Sequence, residues 1–395
     1  MKKYPIDFNN IKNISRRDFV KTAAVTPIAG SLTNSNILKA QQKPTEDKPK
    51  TNIQDALKYP RTKDSLPGKY PGRVVIIENS KAIKDGSFDY EQISFMIDRA
   101  MMILTSQEDR KKAWGTFFSP SDRIGIKVNP VGGTLLSTSR EVVRSIIMLL
   151  VNIGVPLENI VIWDRREFQL HEAGFTSENF PGVKITGTER KDEKGSFYDK
   201  NGRLYSEDMI DKSWFYHAEV DGNYDKETLP YMVNGGKYSF FSKICTQDVD
   251  KIINVPILKN AGGSATLCLK NIAYGSVTNT GRLHKQLWAE TCAEVPCFPP
   301  IRDKMVLNIV DGIRGCYNGG PGAKPEFFHD FNSILVGTDP VAVDRIGFDK
   351  ISDKRIEKGI QKERNTNGMK FLKLAEDLGI GYADLKKIEF KKYVF

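Results

Sequence analysis

Short β-branched runs alternate along this chain with stretches of helical spacing. Residues 73–78 (RVVIIE), 123–128 (RIGIKV) and 159–164 (NIVIWD) each read as a strand closed by turn-forming residues. Between the first two, Ile93, Ile97, Ala100 and Leu104 recur at helical spacing over residues 90–104. Between the second and third, Ser137-Thr138-Ser139 offers a helix N-cap ahead of Val142, Val143, Ile146, Ile147 and Leu150, and Gly154 closes that helix. Strand, helix and strand at this spacing imply right-handed crossovers and a parallel sheet. The alternation resumes with strands over 251–256, 304–310, 333–336 and 385–390, and helices over 265–274, 282–294, 340–350 and 371–378. Asp339 is placed to cap the helix at 340–350, with Pro340 at its first position, and Gly379 closes the last helix. The expected fold is α/β: a mostly parallel sheet with flanking helices. Residues 165–250 break the rhythm. They are polar, rich in Tyr, Asp, Lys and Gly, and are expected to form a long polar insertion or cap with antiparallel hairpins.

The first residues carry a different signal. Ser15-Arg16-Arg17-Asp18-Phe19-Val20-Lys21 is a full twin-arginine pattern, preceded by Lys2, Lys3 and Lys12. A mildly apolar run to Leu38 follows, too short and too weak to span a membrane. Residues 1–40 are therefore expected to be a twin-arginine signal peptide, cut after Ala40, with the translocase as a partner during export. The alternative is a disordered basic arm. Residues 41–68 read as a solvated linker, and residues 69–395 as the α/β domain. The expected location is periplasmic or otherwise extracytoplasmic. Proteins sent this way fold before export, often around a cofactor.

Charge and cysteines narrow the field. The net charge is +10, but residues 1–40 hold seven basic and two acidic side chains, so half of it belongs to the leader. That argues against nucleic acid as a partner and leaves a mild preference for anionic ligands. The five cysteines show no C-x-x-C spacing, and no iron–sulfur motif is present. Cys292 and Cys297 are candidates for a disulfide in an oxidising compartment. No transmembrane span is expected in the mature chain.

The chemistry gathers at strand ends, where open α/β sheets bind ligands. The second strand delivers Lys127 and Asn129, and the third Asp164, Arg165 and Arg166. A glycine-flanked passage carries Lys259 and Asn260, then Lys270 and Asn271 on a helix. A later strand delivers Asp311 and Arg314. Lysines beside the start of a helix make an anion site, so Lys127, Asn129, Lys259, Lys270, Asn271 and Arg314 are candidates to hold substrate. His284, Asp164 and Asp311 are candidates for proton transfer or metal binding. Blander readings stand beside these. Asn129 ends a strand before Pro130, Asp311-Gly312 is turn chemistry, Asp339 is a helix cap, and His284 is a surface histidine. His171, His217 and His329 have weaker contexts. No H-E-x-x-H, G-x-S-x-G, Walker loop or dinucleotide fingerprint is present.

The strings Gly125-Ile126-Lys127-Val128-Asn129, Asn254-Val255-Pro256-Ile257-Leu258-Lys259, Leu269-Lys270-Asn271-Ile272 and Thr338-Asp339-Pro340-Val341-Ala342-Val343-Asp344 resemble the bacterial domain-of-unknown-function 362 family. The resemblance runs from about residue 73 to 391. Some members carry an attached ferredoxin-like segment, whose cysteines are lacking here; others have a twin-arginine leader. The resemblance implies kinship more than chemistry. The expected function is an exported enzyme acting on a small polar or anionic substrate. The alternative is a non-catalytic protein that holds an anion or glycan for a partner. The cofactor is unknown, with a metal or a group held covalently on Lys259 as candidates.

Overall fold

A computed structural model describes residues 48–220, 237–262 and 264–395, and the backbone of 12–14, which pairs with a sheet edge. The twin-arginine pattern and the run to Ala40 lie outside the described residues.

The main sheet is built from β1 (Arg73–Glu78), β2 (Ile124–Val128), β3 (Ile160–Arg166), β4 (Lys184–Glu189), β7 (Lys251–Val255), β10 (Met305–Cys316), β11 (Ser333–Gly337) and β12 (Glu389–Val394). Two strands, β5 (Ile210–His217) and β6 (Tyr238–Ser242), pair with each other away from it, and β8 (Ile257–Ala261) and β9 (Ser264–Thr266) branch from β10. The order across the main path is β12-β1-β11-β10-β7-β2-β3-β4. Among these eight strands the two pairs made by β11 run antiparallel and the other five run parallel, and residues 12–14 add an antiparallel pair at the β12 edge. The expected mostly parallel α/β fold is what the chain adopts.

Pleat alternation assigns the two faces. Ile124, Ile126 and Val128 pack with Ile253 and Val255 against α1 (Tyr90–Thr105) and α2 (Arg140–Asn152). Gly125, Lys127 and Asn254 therefore turn to the opposite face. That face is covered by α3 (Cys268–Ser276), α4 (Trp288–Glu294), α5 (Pro340–Glu357) and α6 (Lys370–Asp377). From β2 the chain moves outward through β3 and β4, then returns to the other side of β2 as β7. Strand order thus reverses between β2 and β7, which opens a crevice at their carboxyl ends.

Caps fall where the residue types place them. Ser139 accepts from Val142 N at the start of α2, and Asp339 accepts from Val341 N and Ala342 N at the start of α5. Gly154 (φ 98°) and Gly379 (φ 73°) turn the chain out of their helices through the left-handed region that favours glycine.

Four expectations need correction. The break at residue 165 is too early, because β4 extends the parallel sheet beside β3. Its sequence, KITGTE, holds a single large apolar residue, and its buried positions are filled by Thr186, Gly187, Thr188 and Glu189. The expected hairpin is β5–β6, farther on. The solvated linker is packed over residues 48–68: Ala56 and Leu66 are fully buried, and Arg302 donates to the carbonyls of Tyr59 and Pro60. Those few apolar anchors are too sparse to show as periodicity. The helix at 282–294 divides at Leu287 into Leu283–Gln286 and α4. Finally, all five cysteines are free and buried. Positions five apart around a helical turn point about 140° away from each other, and the Cys297 thiol donates instead to Ala293 O.

Among the described residues, no helix is long and apolar enough to cross a membrane.

Candidate functional site

The crevice between β2 and β7 holds a cavity of about 300 Å³. Lys127, Asn129, Asp164, Lys259, Lys270, Asn271 and His284 all line it. Seven of the nine sequence candidates, from five separate stretches of chain, thus converge.

Lys127 is 1% exposed. Its Nζ lies 2.5 Å from Asp164 Oδ1 and donates to Val128 O (2.8 Å) and Asn271 Oδ1 (3.1 Å). Burial lowers the lysine's pKa despite the carboxylate beside it. The pair is seated against Gly275 of α3. A Cβ there would overlap Lys127 Cε and Nζ, so only glycine lets the helix approach this closely.

Asn271 joins a chain of amides beneath the pair. Asn129 Nδ2 donates to Asn271 Oδ1 (3.0 Å), Asn271 Nδ2 to Asn254 Oδ1 (2.8 Å), and Asn254 Nδ2 to Asn308 Oδ1 (2.9 Å). Asn308 Nδ2 reaches Thr338 O at 3.3 Å. Asn129 Oδ1 has no hydrogen-bond partner among the described residues.

Lys259 is fully buried at the middle of β8, and its Nζ donates to Val131 O at 2.5 Å. Burial, with the nearby Lys270 cation, lowers its pKa to about 7. Lys270 sits half-buried on α3, 3.4 Å from Thr266 Oγ1, and burial lowers its pKa as well. Among the described residues, no carboxylate lies within ion-pair distance of either lysine. The cavity's two carboxylates are engaged elsewhere: Asp164 by Lys127, and Glu189 by Arg165 (3.4 Å) and Arg166 (3.1 Å). Five cations therefore face two committed anions.

His284 stands at the exposed rim, its ring 4.4 Å from that of Tyr274. Its Nδ1 lies 3.0 Å from Thr280 O, a pure acceptor, which selects the Nδ1–H tautomer and leaves the Nε2 lone pair open. Partial enclosure, then the Lys270 and Arg165 cations, lower its pKa to about 4, so the ring is neutral at physiological pH.

Two candidates lie elsewhere. Asp311 and Arg314 line a separate hollow with Ser139 and Arg140. Asp311 is buried at the start of α2, accepting from Ser139 N (2.7 Å) and Ile313 N (3.1 Å), and burial raises its pKa to about 6. Arg314 pairs with Asp330 at 2.5 Å. Both sit past the point where β10 diverges from β7 and follows β8, which carries them away from the crevice. The helix start expected to bind an anion is also taken. Cys268 N and Leu269 N donate to Asp344 of α5 at 2.6 and 2.9 Å, so a carboxylate from another helix caps α3. Asp339 likewise ties Gly72 N (3.0 Å) and Tyr382 N (3.1 Å) to its own helix. The string Thr338–Asp344 is thus a structural fastening that positions α3. Among the described residues, no group of three metal-ligating side chains is present.

Glu189, Thr266 and Tyr274 also line the cavity without a local pattern that marks them as site residues. Glu189 falls within the expected polar insertion, and Thr266 and Tyr274 within the expected helix at 265–274.

The model of a family described as "Domain of unknown function (DUF362)" matches residues 124–349, more than half of the chain. No curated protein matches it.

Proposed function

The chain belongs to the domain of unknown function 362 family, and we propose that this member is an exported enzyme acting on a small anionic substrate held in the β2–β7 crevice. One observation carries the reading. Lys259 and Lys270 line the cavity without a carboxylate partner, although both are withdrawn from water. A buried cation without a counter-ion is costly, and a bound anion is what relieves it. Arg165 and Arg166, held in place by Glu189, widen the positive field at the mouth.

The enzyme reading is favoured over passive binding by the groups beside that anion site. Neutral His284 offers Nε2 as a proton acceptor, and a lysine with a pKa near 7 can give or take a proton at neutral pH. Lys127 and Asp164 form a fixed dipole at the inner wall. Asn129 lines the same wall, and its buried Oδ1 has no hydrogen-bond partner among the described residues. The class we infer is proton transfer at a carbon or heteroatom next to an anionic group.

The leader pattern at residues 15–21 supports export by the twin-arginine route, and with it a periplasmic or extracytoplasmic location. Thermal unfolding with added inorganic phosphate, sulfate and simple carboxylates tests the anion site. At least one should raise the Tm of the wild type and leave Lys259→Met unchanged. No shift with any of them would end the reading. Exchange of substrate hydrogens into deuterated water, followed by NMR for whichever anion binds, separates catalysis from passive binding.

A further inference from the structure

The cationic cavity is only the inner lobe of a longer cleft. A second hollow of about 440 Å³ shares Lys270, His284 and Pro321 with it. These three residues form a neck between the lobes. The outer lobe differs in kind. Ala261, Gly262 and Trp288 line it, with Asn365 and Asn367 along its edge and, among the described residues, no carboxylate in its wall. Trp288 is held on edge against Phe371, ring centroids 5.4 Å apart at 74°. The second aromatic pair, Tyr274 and His284, stands beside the neck.

Size argues against a bare oxyanion. A water molecule occupies about 30 Å³, and either lobe alone is roughly ten times that or more. Charge and lining argue for a specific remainder. The inner lobe asks for negative charge, and the outer lobe has the indole of Trp288 and the ring of Pro321 in its lining. A flat ring stacks on an indole with more energy than its area alone returns. The absence of carboxylates lets an anion pass the neck without repulsion.

Resting on the anion reading of the inner lobe, we propose that the substrate is an aromatic anion. Its phosphate or carboxylate group lies among the lysines, and its ring lies in the outer lobe against Trp288.

Three phosphonates test this by calorimetric titration of the full chain: methylphosphonate, cyclohexylphosphonate and phenylphosphonate. All three present the same anion; the last two differ mainly in flatness and π character. Phenylphosphonate should bind about tenfold more tightly than methylphosphonate and several-fold more tightly than cyclohexylphosphonate. Trp288→Leu keeps an apolar side chain against Phe371 and should erase the phenyl advantage while leaving methylphosphonate affinity unchanged. The wild-type comparison stands by itself should that variant not fold. Equal affinity for all three in the wild type would overturn the aromatic assignment and leave the anion site intact. Binding of cyclohexylphosphonate as tight as phenylphosphonate would replace it with a merely apolar lobe. If none of the three binds, this proposal falls, and the thermal-shift series with phosphate, sulfate and carboxylates decides the anion reading separately.

Discussion

Replacing Lys259 with methionine should stabilise the protein while disabling it. The side chains are similar in length, so Lys259→Met removes a charge and one hydrogen bond from a fully buried position. Lowering a lysine pKa from 10.5 to about 7 corresponds to a penalty on the order of 5 kcal/mol on the charged form, at ~1.4 kcal/mol per pH unit. Buried charges replaced by apolar residues of similar volume return roughly 1–4 kcal/mol, and the lost bond to Val131 takes back about 1 kcal/mol. A net gain of up to ~3 kcal/mol is expected near pH 6. The pH dependence carries the diagnosis. Above 10.5 the lysine is neutral in both folded and unfolded chains, so its charge makes no difference. As pH falls from 10.5 to about 7, the unfolded chain takes up the proton and the folded chain does not, and wild-type stability declines. Below about 7 the loss is complete. The advantage of Lys259→Met should therefore grow as pH falls through that window and then level off. Urea denaturation of both proteins at intervals from about pH 6 to about pH 10 measures it. A methionine variant that is less stable than wild type by the same amount at every pH would refute the reasoning.

The other expectations concern neighbours of the same cavity. Gly275→Ala should push the Lys127–Asp164 pair out of place, costing ~1–3 kcal/mol in denaturant unfolding and abolishing the Tm shift with phosphate. Asp344→Ala leaves Cys268 N and Leu269 N without their acceptor and should cost ~1–3 kcal/mol, with faster amide exchange confined to the first turn of α3. His284 should stay neutral and Nδ1-protonated down to about pH 5 by nitrogen-detected NMR, because its pKa is lowered to about 4; the stability tied to that neutral ring is present above its ordinary 6.5 and is lost as pH falls toward 4. Arg314→Ala should change anion affinity by less than about twofold, and stability by no more than about 1 kcal/mol, since it removes only a partly exposed pair with Asp330.

The framework was readable because β2, β3 and β7 are β-branched runs buried on both faces, and because Ser139, Asp339, Gly154 and Gly379 occupy cap positions that few other residues fill. β4 shows no apolar period because its buried positions are Thr, Gly and Glu, and the packed segment at 48–68 shows none because a few anchors such as Ala56 and Leu66 do not make a period. Lys127 and Asp164 could be picked out as polar residues at strand ends, a position that in a parallel sheet means a crevice, and Lys259 and Lys270 as lysines in a glycine-flanked strand-to-helix passage. Asp311 looked the same in sequence. What separated it was long-range: β10 leaves β7 and continues beside β8, and no local pattern encodes that change of neighbour. The fastening roles of Asp339 and Asp344 were hidden for the same reason, since Gly72, Tyr382 and the start of α3 are distant in sequence.

The amide chain beneath the cavity has a direction. From Asn129 through Asn271 and Asn254 to Asn308, every –NH2 points inward and every carbonyl outward, ending on Thr338 O. Turning any one amide over would set donor against donor on one side and acceptor against acceptor on the other, so the four share a single orientation. Hydrogen bonds in such a series polarise one another along their length. Their summed dipole has its oxygen end at Asn129 Oδ1, an atom closed off from solvent on a residue that lines the cavity. The electron-rich end of the series thus lies behind the floor of a pocket walled by cations, where its field opposes that of the lysines.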